Sequence, residues 1–269
     1  MSATDSADHD RVQRYGTIVV VGGGCYGGYY VRQLGRAVRA GAVVAQRVLV
    51  VDRDAECAVA RELAASPTHD VPVEMLVSDW TAFFAEYLGA AVRDPARYRD
   101  DAIVPSPLMP HLMGEWLVAE ARELYGERVV ADEAFERVPD VPWSRAGGGG
   151  THYVSYATWM CPINCVEPRT CPHTRDTRTW SLPVTLERHA HDEQAAGRPV
   201  SAATLFCRHR SYGVGMFDTA EVIAAHDLIM AAGERGHAEV IIGTVSHCHG
   251  ALARLVVRGP DAAANSHVR

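Results

Sequence analysis

Hydrophobic positions along this 269-residue chain switch repeatedly between a strand-like and a helix-like period. Thr17–Val21 is a short β-rich run and predicts a first strand. Tyr30, Leu34 and Val38 then fall on one face of a helix that ends near Gly41, and Arg47–Val51 reads as a second strand closed by Asp52. Val73–Val77 is a third strand. Trp80, Phe83, Phe84, Tyr87 and Leu88 recur at i, i+3, i+4, i+7 and i+8, a helix with one buried face, with Asp79 placed to cap it. Ala102–Val104 predicts a fourth strand, Leu112, Trp116 and Leu124 mark a helix that stops at Gly126, and Arg128–Ala131 predicts a fifth strand.

Pro139, Pro142 and four consecutive glycines interrupt the pattern over Val138–Gly150, which reads as a linker. Beyond it, strand-like alternation over His152–Thr158 is followed by a helix from Leu182 to Ala196 with Pro183 in its first turn. Ala203–Arg208 predicts a strand. Asp218 and Glu221 have capping-box spacing before a helix over Thr219–Gly233, and Ala238–Thr244 and Ala251–Arg258 predict two more strands. The expected class is α/β: a Rossmann-like parallel sheet over residues 15–137, the linker at 138–150, and a smaller α/β half over 151–258 carrying a cysteine-rich metal loop. Residues 1–14 and 259–269 read as tails. Successive β-α-β crossovers would make the second half parallel as well. Its three chemistry-bearing loops would then share one sheet edge.

The first chemistry sits between the first strand and first helix. Gly22, Gly24 and Gly27 match G-x-G-x-x-G there, and Asp52 ends the next strand. Strand, glycine loop, helix, strand and terminal acid make up the dinucleotide fingerprint. The glycines let backbone approach a pyrophosphate at a helix N-terminus, and the acid can accept from ribose hydroxyls. Asp52 favours NAD, while Arg53 beside it leaves NADP open.

The second chemistry is Met160–Thr174, which places Cys161, Cys165 and Cys171 within eleven residues. Thiolates select zinc or iron–sulfur, and Cys-Pro pairs occur in ferredoxin-type ligand runs, although this spacing is not a ferredoxin's. A thiol–disulfide switch is the other use of such a triplet. The fourth ligand is open among Cys207, Cys248 and His173, with Cys248 the better placed of the two cysteines. His111, His209, His247 and His249 are candidate proton donors or acceptors. Arg208 and Arg210, at i and i+2, are candidates to grip an anionic group.

Composition narrows the classes. A net charge of −7 argues against general nucleic-acid binding. No run of about 18 apolar residues is present to span a membrane, and the polar, acidic first residues do not read as a signal peptide. An odd count of 7 cysteines suits ligands or thiols in a cytoplasmic protein. All 26 basic residues are arginine. The absence of lysine excludes a Schiff-base lysine, a phosphate-loop lysine and a tyrosine–lysine dehydrogenase pair.

Residues 15–135 resemble the NAD(P)-binding Rossmann superfamily, and most of all the nucleotide domains of potassium-uptake regulators. Those share a glycine loop (here Gly22, Gly24, Gly27), an acid ending the second strand (Asp52) and an acid after the third (Asp79). The resemblance implies a nucleotide held by these five residues. The cysteine-bearing half departs from that pattern, so no transport role is carried over. The expectation is an NAD(P)-linked oxidoreductase with a thiolate-bound zinc or iron–sulfur cluster. It would act on a small, anionic substrate or a redox protein, and a homo-oligomer is compatible with it. The alternative is a nucleotide-sensing regulator with a structural zinc.

Overall fold

The computed structural model describes residues 12–66, 70–131, 135–157, 161 and 165–259. The elements run β1 (Gln13–Val21), α1 (Cys25–Arg39), β2 (Val43–Asp52), α2 (Ala58–Ala65), β3 (Val73–Val77), α3 (Trp80–Arg93) and β4 (Ala102–Val104). They continue with α4 (Leu112–Tyr125), β5 (Val129–Val130), β6 (Trp143–Ala146), β7 (His152–Ser155), α5 (Leu182–Ala195) and β8 (Val200–Phe206). The last are β9 (Arg208–His209), β10 (Gly215–Asp218), α6 (Thr219–Arg235), β11 (Ala238–Val245) and β12 (His249–Val257). The fold is α/β, with two sheets and six helices among the described residues.

The chain forms two compact units. The first comprises the described residues of Met1–Met109, Pro162–Val166 and Cys207–Ala220; the second those of Pro110–Cys161, Glu167–Phe206 and Glu221–Arg269. In the first unit the sheet order is β3-β2-β1-β4-β10-β9. The first four strands are parallel, and β10 and β9 add antiparallel. Ile18, Val19 and Val20 are fully buried, as strands covered on both faces require. On one face Ile18, Val20, Val48 and Val50 pack with Val31 and Leu34 of α1. Buried Asp101 ties the strand bases together: its Oδ1 accepts the Thr17 N–H at 2.7 Å and its Oδ2 the Tyr87 hydroxyl at 2.8 Å.

In the second unit the order is β6-β7-β12-β11-β8, with β5 also on β12. Only β8 and β11 are parallel; β6, β7, β11, β12 and β5 pair antiparallel. Leu182, Leu186 and Ala190 of α5 pack on one sheet face with Val154, Ile241, Val245 and Leu252. Met113, Trp116 and Leu117 are the buried positions of α4, and its Gly114 lies where a Cβ would come 3.3 Å from Ala253 on the other face.

Four expectations need correction. The second half is not an all-parallel run, because β12 pairs antiparallel with β11, β7 and β5. The fifth strand does not continue the first sheet: Val129 and Val130 pair with Val257 and Val256 in the second. The N-terminal segment of the first unit runs to Met109, and Pro110–Cys161 belongs to the second. The expected linker is a hairpin, in which β6 pairs with β7 and Gly149 and Gly150 turn between them at φ 60° and 73°. Glycine takes that left-handed backbone without the Cβ clash of other residues. Finally, Cys207–Arg210 leaves the second sheet's edge and joins the first unit through β9.

Candidate functional site

In the first unit the glycine loop makes the turn from β1 into α1. Gly22 has φ 86°, and its N–H donates to the Val51 carbonyl at 2.8 Å. At Gly27 a Cβ would stand 1.9 Å from the Gly22 carbonyl oxygen, so only glycine lets α1 seat against the loop. Gly24 is different. It is exposed, and a Cβ there would meet nothing within 4 Å. Asp52 fixes the loop from β2: its Oδ2 accepts the Gly23 N–H at 2.6 Å and its Oδ1 the Asp54 N–H at 2.9 Å. Asp79 caps α3, accepting from Thr81 and Ala82. Arg53 lies over the Trp80 ring at 4.2 Å.

One candidate in this unit is already engaged. Arg210 is a largely buried partner of Asp218, with Nη1 and Nη2 at 2.6 and 2.7 Å from the two carboxylate oxygens. It also donates to the Tyr15 hydroxyl. The guanidinium expected to grip an anion is here committed to a bidentate pair within the unit. Arg208 and His209 form β9, paired with Met216 and Gly215. Cys165 is half-buried in the same unit.

The second unit collects the remaining chemistry at the hairpin between β11 and β12. Ser246 N–H donates to the His249 carbonyl at 2.8 Å, so His247 and Cys248 are the turn residues. Glu167, in the cysteine-rich segment and at φ 48°, clamps this turn. Its carboxylate accepts the Ser246 hydroxyl at 2.7 Å and the N–H groups of His247 at 3.0 Å and Cys248 at 2.9 Å. No spacing pattern points to Glu167; only its position beside the cysteines could have.

The turn separates three side chains expected to act together. His247 Nδ1 faces Ser181 Oγ at 3.0 Å, with its ring against Phe206. Cys248 is buried and accepts the Trp180 indole N–H at 3.2 Å; burial pushes its thiol up to about 12. Cys248, named above as a candidate fourth metal ligand, thus sits under the Trp180 ring edge with its sulfur buried. His249 opens β12 directly opposite Ser155 of β7. Register partners leave the sheet on the same face, and Ser155 Oγ lies 2.8 Å from His249 Nδ1. His249 Nε2 lies 3.2 Å from Cys161 Sγ.

Cys171 occupies its own turn. The N–H groups of Thr174 and His173 and the Thr174 hydroxyl point at its sulfur and lower its thiol below the usual range. Among the described residues no group of three or more His, Cys, Asp or Glu side chains is assembled for a metal. His111 precedes α4, with Nε2 3.7 Å from Glu115. Both line a cavity of about 270 Å3 whose floor includes Ile242, Thr244, Ala251 and Ala253.

Residues 113–258, more than half of the chain, match a family model described as "Uncharacterized protein, C-terminal domain". The chain belongs to this AF_1314_C family. Ser155, Cys161, Glu167 and His249 all lie inside the family's segment, and the glycine loop lies before it. No curated protein and no solved structure matches the chain. No helix among the described residues is long and apolar enough to cross a membrane.

Proposed function

We infer that the protein is an NAD(P)-linked oxidoreductase whose dinucleotide binds at the glycine turn of the first unit. One observation carries this reading: Gly27 is shut against Gly22 while Gly24, at the start of α1, stands open. A loop built only to pack a helix needs the first feature. The second leaves room for a pyrophosphate on the N–H groups of α1. The parallel order β3-β2-β1-β4 agrees with the first half of a dinucleotide-binding sheet. Asp52 keeps lone pairs beyond its two backbone bonds, and these suit a ribose diol better than a 2′-phosphate. NAD is therefore the favoured cofactor. Calorimetry should show NADH binding more tightly than NADPH. Equal or tighter NADPH binding would overturn the NAD assignment and turn attention to Arg53, and binding of neither would overturn the reading.

The second reading, a nucleotide-sensing regulator holding zinc, draws on Cys171. A thiol whose value is lowered by backbone N–H groups suits a soft metal. Zinc lost on Cys171→Ser, without nicotinamide turnover in the native protein, would favour that reading.

A further inference from the structure

The second unit brings a nucleophile, a base and an orienting group within hydrogen-bond reach of one another. We propose that Cys161 is a catalytic thiol, His249 its general base and Ser155 the residue that positions the base, together taking an aldehyde carbonyl as the electrophile.

The tautomer follows from hydrogen-bond counting. Buried Ser155 has one hydroxyl proton. Its Oγ lies 2.6 Å from the Ala157 carbonyl, which can only accept, so the proton goes there. The Ala157 N–H returns a bond to the same oxygen at 2.8 Å. Toward His249 Nδ1, Ser155 Oγ must therefore accept, and Nδ1 carries the ring proton. The lone pair of the neutral imidazole is then on Nε2, the atom 3.2 Å from Cys161 Sγ. Nucleophile, base and a third group fixing the base's tautomer are the marks of an activated thiol. Glu167 holds the far side: by clamping the Ser246–Cys248 backbone it fixes the hairpin that presents His249.

The pair supplies both requirements of carbonyl addition. The Sγ proton passes to Nε2, and the sulfur electron pair forms a bond to the carbonyl carbon. The C=O π pair moves to oxygen, and the imidazolium returns the proton to that oxygen. The product is a thiohemiacetal; nothing is oxidised or reduced and no group leaves. The sheet face that carries His249 continues to Ala251, two residues and about 7 Å along the strand, where it floors the cavity. His111, Glu115 and Arg122 line that cavity, which lies beside the reacting pair rather than around it.

The site is independent of the nucleotide reading, and its test needs no cofactor. Iodoacetamide labelling of the full chain is followed by peptide mass spectrometry at neutral pH, with exposed Cys25 as the internal standard. Cys161 should label at least about tenfold faster than Cys25. His249→Asn keeps a polar group beside Ser155 but has no base at Nε2, and should bring Cys161 down to the Cys25 rate. Ser155→Ala should move the pH profile of Cys161 labelling, and Ser155→Thr should restore it. Circular dichroism checks that each variant folds. If His249→Asn fails to fold, Ser155→Ala decides through its pH profile. Added propanal should slow labelling at Cys161 and leave Cys25 unchanged. Unequal protection would support the carbonyl class and equal labelling would overturn it. A Cys161 rate no faster than Cys25 and indifferent to His249 would overturn the nucleophile. So would a metal that purifies with the protein and is released by His249→Asn, because the pair would then be ligands.

Discussion

Neighbouring residues in one hairpin turn have opposite chemical fates here. Cys248 is enclosed with its sulfur under the Trp180 N–H, and His249 is turned to the opposing strand. Because the folded thiol titrates only near 12, against about 8.5 for a free cysteine, the folded state keeps a proton that the unfolded chain gives up. The stability from neutral Cys248 is therefore full below about pH 8.5 and is lost as pH rises toward the folded value. Denaturant titrations at pH 7.5 and 9.5 should show lower stability at the higher pH. Cys248→Ala should shrink that difference, and an unchanged difference would count against a buried neutral thiol.

At the level of elements, the glycine turn and the end of α5 make separable predictions. Gly24→Ala should leave the melting temperature nearly unchanged, since a Cβ there meets nothing, yet weaken NADH binding at least about tenfold by occupying the ligand's approach. Gly27→Ala forces a Cβ onto the Gly22 carbonyl and should cost about 2–3 kcal/mol in stability. Calorimetry and thermal melts on both variants separate the two roles; parallel effects would remove the ligand argument. At the end of α5, Glu193 accepts from Arg198 and Arg137, and the Arg198 hydrogen bond leads the causes that hold its carboxyl at about 2. A lowered carboxyl stabilises above its unfolded value near 4.3, and that contribution is lost as pH falls toward 2. Glu193→Gln should flatten the acid limb of the stability profile between those values.

For the molecule as a whole, the chain's return matters most. After β8 in the second unit, Cys207–Ala220 supplies β9 and β10 to the first. Phe217 is fully buried and pairs with Ile103, and the Thr219 N–H reaches the Asp101 carbonyl at 2.9 Å. A fragment of residues 1–109 would leave β4 as an unpaired apolar edge, an aggregation site. It should lack a cooperative thermal transition by circular dichroism, whereas the full chain should show one. A cooperative melt of the fragment would show that β10 is dispensable.

Periodicity and punctuation suffice for most elements of the first unit's N-terminal segment. Buried β-branched runs, one-faced helices and glycines at turns act locally, so β1 to β4, α1 and α3 and the cap at Asp79 were legible in order. The α/β class followed from them. The cysteine-rich segment was also visible as chemistry, through thiols too close together to ignore. Pairing was not legible, because it depends on contacts between residues far apart in sequence. Nothing local says that β10 leaves its neighbours for β4, that four glycines close a hairpin rather than link domains, or that Arg210 is taken by Asp218. The same limit applies at the thiol. The spacing of His247 and His249 suggested two side chains acting together, whereas the hairpin turn divides them. Only the register of β7 on β12 sets Ser155 opposite His249, and only the tertiary fold brings Cys161 Sγ to 3.2 Å from His249 Nε2.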